Sequence, residues 1–187
     1  MSMTDTGRFW SLRVAFMGML ALTSCAIPVE KHIFIADGED PKARRRTLPR
    51  DERIDVTLHL TPEQRAFVWK GPYRVFVYLF EGTQWGGAVD SIEVAAAFLT
   101  VRYPDGDDQR LVLTDWRRVA DPAAPGIYYI GQLPQKTLDV EHARVREIEL
   151  RLELTAILKD GTRHRHVTVK HYRPVVLRDM ESLLPAA

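Results

Sequence analysis

The sequence predicts an all-β fold: a single antiparallel β-sandwich of about seven strands, immunoglobulin-like or transthyretin-like in plan. Three observations predict it. Apolar and polar residues alternate at period two in several stretches. Short strand-like runs recur through residues 53–173, separated by Gly, Pro and Asp. No stretch shows heptads, an internal repeat or a long amphipathic helical pattern.

The elements follow in order. Ile54, Val56, Leu58 and Leu60 alternate with Asp55, Thr57 and His59, as in a half-buried strand. Tyr73 to Phe80 is apolar on nearly both faces, which suits a central strand. Residues 91–103 and 109–116 flank Pro104-Asp105-Gly106-Asp107, a hairpin turn signal. Residues 126–133 make a fifth strand, and residues 134–146 leave room for one helical turn. In the last hairpin, Ile148, Leu150, Leu152 and Leu154 face one way and Glu147, Glu149, Arg151 and Glu153 the other. Leu and Glu would also suit a helix over 144–158, but strict alternation favours the strand. If Asp160-Gly161 is a two-residue turn, Leu154 lies opposite Val167 and Leu152 opposite Val169. Residues 174–187 form a tail, with a short helix expected over 175–184.

Residues 25–52 read as a tether. They hold Pro28, Pro41, Pro49, Gly38 and the run Arg44-Arg45-Arg46, with only His32 to Ala36 able to form a short strand. The chain has 187 residues, 45% of them hydrophobic and 27% charged, which is a globular composition. A single cysteine excludes an intramolecular disulfide. The core alone must hold the domain.

Residues 1–24 carry the parts of an export signal. Arg8 and Arg13 charge the start, Val14 to Leu22 is apolar, and the small residues Thr23 and Ser24 precede Cys25. Nine helical residues span only about 14 Å at ~1.5 Å each. A bilayer core needs roughly 20 apolar residues, so a permanent transmembrane helix is not expected here. Leu22-Thr23-Ser24-Cys25 resembles the lipobox of bacterial lipoproteins, a likeness that covers about 25 residues and leaves the domain family open. The resemblance implies cleavage before Cys25, a diacylglyceryl thioether on its sulfur and usually a third acyl chain on its amine. Ala26 rather than Asp after the cysteine implies the outer membrane, facing the periplasm.

Loss of residues 1–24, which include Arg8, Arg13 and Asp5, leaves 24 basic and 24 acidic residues. No global field draws such a chain to nucleic acid. Nucleophilic chemistry is poorly supplied: Ser91 and Ser182 lack a Gly-x-Ser-x-Gly setting, and no phosphate-binding loop is present. An enzyme is therefore not expected, nor is a cofactor. His164 and His166 share one strand face, and Glu153 should lie across the hairpin. This makes them weak metal-ligand candidates. Trp85 lies in a glycine-rich loop, and Trp116, Arg117 and Arg118 in a second. Trp and Arg are the types enriched at binding hot spots, although a Trp can equally plug the end of a core. These readings point to a lipid-anchored, non-catalytic interaction or assembly module with another envelope protein as partner. A lipoprotein that binds a metal, lipid or glycan stands as the alternative.

Overall fold

The pattern of β-branched and apolar residues resolves into nine strands in the computed structural model, which describes residues 26–40, 54–81, 86–119 and 128–182. The lipobox residues Leu22, Thr23, Ser24 and Cys25, the signal segment and Trp85 lie outside the described residues. The strands are β1 (Ala26–Ala36), β2 (Ile54–Arg65), β3 (Val68–Glu81), β4 (Val89–Arg102), β5 (Gln109–Val112), β6 (Thr114–Val119), β7 (Tyr128–Leu138), β8 (Glu147–Leu158) and β9 (Arg163–Ser182). One 3-10 turn, His142–Arg144, falls within the stretch expected to hold a helical turn. The chain divides into two units. Residues 30–177 carry the core. Among the described residues, the second unit comprises only the outer ends of β1 and β9, residues 26–29 and 178–182.

The fold is all-β, as expected, but it is not a plain antiparallel sandwich. All nine strands belong to one mixed sheet, in the order β5-β4-β8-β9-β1-β3-β7-β6, with β2 on the other side of β3. The β1–β3 pair is parallel, with Glu30 opposite Val68 and Lys31 opposite Trp69. The two ends of the strand order, β5 and β6, are consecutive in the chain through the buried Leu113. The sheet therefore turns back on itself around one core. Leu150, Leu152 and Leu154 of β8 share that core with Val75, Val77 and Leu79 of β3. Tyr129 Oη of β7 accepts a hydrogen bond from Ile92 N of β4 at 3.4 Å, linking the two sides.

Two segments depart from expectation. β1 is strand over its whole length, not a tether with a short strand at its end. Its buried residues, Val29, Phe34 and Ile35, include two adjacent positions, so no period-two signal marks it. At the other end, β9 runs on as strand to Ser182, where a short helix was expected. Pro174 lies beyond Tyr172, the last β9 residue paired with β8, so its missing N–H costs that ladder nothing.

The β8–β9 register is the main correction. The turn has three residues, Lys159-Asp160-Gly161, with Gly161 at φ +84° and Leu158 N donating to Thr162 O at 2.8 Å. The third position of such a loop takes the left-handed conformation that glycine adopts without strain. Leu154 therefore pairs with His166 and Leu152 with Thr168, one residue away from the two-residue-turn register. A slip of one residue exchanges the faces of a strand. Val167 and Val169 thus point outward, at 53% and 45% exposure. His164, His166, Thr168 and Lys170 take the inward side, where Lys170 Nζ donates to Val56 O of β2 at 2.8 Å.

β1 is fastened by His142. A 2.9 Å hydrogen bond joins its Nε2 to Ile33 O, and its ring lies 5.0 Å from both His32 and Phe34. Burial, partly opposed by the bond to Ile33 and reinforced by His32, holds the imidazole below its usual pKa.

Leu152→Ala should cost about 2–5 kcal/mol in urea denaturation, whereas Val169→Ser should cost less than about 0.5 kcal/mol. Equal losses would contradict the register. With a folded pKa below the unfolded value of about 6.5, His142 takes up its proton first in the unfolded chain. Stability should therefore fall as pH drops through about 6.5 and below. Comparing urea midpoints at pH 7 and pH 5, His142→Phe should show a smaller drop than the wild type.

Candidate interaction surface

The outward face of β5, β4, β8 and β9 gathers apolar, aromatic and charged side chains into one surface. Register places them in rows. Val112, Phe98, Arg151 and Val169 lie side by side across the four strands, and Arg110, Thr100, Glu149 and His171 form the next row. A shallow groove of about 320 Å³ runs between β5 and β8, lined by Phe98, Thr100, Arg102, Asp108, Arg110, Glu149 and Arg151.

Most charges on this face are internally matched. Arg102 donates to Asp108 Oδ2 at 2.9 Å and to Glu149 Oε2 at 2.6 Å, with Glu147 Oε1 at 3.3 Å from its Nε. His171 Nδ1 lies 3.3 Å from Glu147 Oε1. Glu153 receives Arg165 at 3.0 Å and Arg151 at 3.2 Å. Those two guanidiniums, Arg165 foremost, hold its carboxyl below the usual range. Arg163 pairs with Glu93. Exposed pairs of this kind contribute only about 0–1 kcal/mol each, so they order the face more than they stabilise it. Arg110 differs. Its guanidinium sits over the Phe98 ring at 3.7 Å, a flat amphipathic stack.

Glu147, Glu149 and His171 bring three ligand atoms within 4.8 Å of one another. A divalent ion could use such a set. Arg102 already contacts both carboxylates, and its positive charge would have to be displaced first.

Glu153 and His166 are not brought together: Glu153 faces outward opposite Val167, while His166 lies on the inward side with its Nε2 buried. His164 shares that inward side. The metal grouping of His164, His166 and Glu153 therefore does not form, because the turn shifts the register by one. Trp116 lies on β6, half-buried, and packs against the core. A Cβ on Gly131 would sit 2.6 Å from three atoms of its ring, so glycine is needed there for close approach. Arg117 and Arg118 are exposed on the same strand, and Arg117 lies 3.6 Å from Asp115 Oδ2.

Sequence reasoning missed Phe98, Arg102, Arg110, Glu147, Glu149 and His171 as one surface. Alternation shows that Glu147 and Glu149 share a face of β8. The hairpin turn shows that β9 flanks β8, but that β4 flanks it on the other side is decided by long-range pairing, which no local pattern reveals.

Gly131→Ala should destabilise the protein by about 1–3 kcal/mol through overpacking against Trp116. The same change in a Trp116→Ala background should cost clearly less. A double-mutant cycle read by urea unfolding measures this coupling.

No protein-family model, no curated protein and no solved structure matches the chain.

Proposed function

We propose that the chain is a bacterial lipoprotein, anchored through acylated Cys25, that acts as a non-catalytic interaction or assembly module in the cell envelope. The anchor reading rests on Leu22-Thr23-Ser24-Cys25, on the apolar run before it and on the cysteine being the only one. Ala26 after the cysteine favours the outer membrane, on the periplasmic side. One observation carries the interaction reading: the outward face of β5-β4-β8-β9. Val112, Val167 and Val169 stand 52%, 53% and 45% exposed there, beside the Arg110–Phe98 stack. Self-neutralised charge around exposed apolar and aromatic–arginine groups has the makeup of a protein-binding surface. An envelope protein is the partner it suits.

The ligand-binding alternative is favoured by the Glu147, Glu149 and His171 grouping alone. Calorimetric titration with zinc separates the two. Micromolar binding that vanishes in His171→Ala would favour a metal-binding lipoprotein.

The interaction reading is tested by in-cell cross-linking of the tagged full-length protein, followed by mass spectrometry. One stoichiometric envelope protein should be captured. Val167→Glu with Val169→Glu should reduce its capture at least about tenfold while leaving the unfolding midpoint close to wild type, as surface changes usually do. Capture unchanged by the double variant would remove this face from consideration.

A further inference from the structure

We infer that the β2–β3 turn, tipped by Phe67, is a second membrane contact that docks the anchored domain onto an anionic lipid surface. The inference rests on the lipoprotein reading and adds to it a surface and an orientation.

Glu30 follows Cys25 by five residues, which span at most about 18 Å at ~3.3–3.6 Å each. Glu30 is also where β1 meets the turn: its N–H donates to Phe67 O at 3.0 Å, and it pairs with Val68 of β3. An acyl group on Cys25 would keep this end of the residue 30–177 unit within that reach of the headgroups, whatever path residues 26–29 take. The turn beside Glu30 is thus kept within that reach of the bilayer by the covalent anchor.

Its chemistry fits that position. Phe67 stands 53% exposed at the tip of the hairpin, beside Ala66 in a left-handed conformation at φ 53°. Arg65 and Lys70, also exposed, flank it on the two strands. Lys31 lies over the half-buried Trp69 at 5.7 Å on the neighbouring strand. An aromatic tip ringed by cations is the composition that partitions to a lipid–water interface: the ring enters the acyl boundary and the cations meet anionic headgroups. Alone, one ring and a few cations would hold a membrane only weakly. Tethering changes this, because a contact held within about 18 Å of its surface acts at an effective concentration on the millimolar scale. Acidic groups on the strands beside the tip have basic neighbours. Glu30 is engaged by His32 at 2.8 Å, and Glu63 lies opposite Lys70 in the hairpin.

The test uses the full chain, exported, purified from membranes and placed in vesicles of phosphatidylethanolamine and phosphatidylglycerol at about three to one. Phe67→Cys carries a nitroxide, Val112→Cys carries the control label, and the mass of the N-terminal peptide is read from the same samples. With Cys25 acylated, the label at 67 should collide with a water-soluble nickel chelate several-fold less than the label at 112. Adding Arg65→Gln and Lys70→Gln should remove most of that protection, as should neutral phosphatidylcholine vesicles. Acylated Cys25 with equal chelate access at 67 and 112 would overturn the docking and leave the lipoprotein reading standing. An N-terminal peptide without acyl mass would overturn both.

Discussion

Gly161 sets the side-chain geography of the last hairpin. Its left-handed backbone closes a three-residue turn, and that turn decides which half of β9 faces the core. Everything on the outward face follows from it. Val167 and Val169 line up with Glu153 and Arg151, and His171 comes beside Glu149. On the other side, Lys170 reaches the carbonyl of Val56. Had the turn been one residue shorter, the valines would be buried and the histidines exposed. The surface we assign to binding would then be a polar strip of His and Lys.

The inward half of β9 is unusual for a core-facing strand face, because it is polar. Lys170 reaches β2, which among the described residues pairs with β3 alone. A lysine bonding an edge carbonyl satisfies an acceptor that a neighbouring strand would otherwise satisfy. A polar strip is therefore tolerated at this seam, while the purely apolar β8 face beside it carries the packing. The mixed character of β9 thus has a structural cause.

Local pattern was most legible where one strand buries one face. β8 alternates strictly from Glu147 to Glu153 in sequence and in burial; β2 alternates in sequence from Ile54 to Leu60 and was readable as a strand, although Asp55 is buried between Ile54 and Val56. The β4–β5 turn was readable too, because Gly106 takes φ +85° within the Pro-Asp-Gly-Asp sequence. Only His32 to Ala36 of β1 was legible as strand; its full length was not, since Phe34 and Ile35 are buried side by side and Pro28 with nearby charge mimics a linker. Nor was the single mixed sheet: that β5 and β6 sit at opposite ends of the strand order depends on pairings tens of residues apart. The candidate surface suffered the same fate. Its rows combine residues near 100, 150 and 170, whereas the loop tryptophans attracted notice only by residue type. Trp116 proves to be a packing group, seated where Gly131 has no side chain.

The strand order places the first and last strands side by side, with β1 between β9 and β3. Asp37 N, just past β1, bonds His171 O, so an early segment waits for one more than 130 residues later. Pairings this remote fold slowly, because loop closure must come before any reward. Until β9 is made, β8 and β1 each keep an open edge, so a chain stopped before residue 163 lacks the strand that joins the two parts of its sheet.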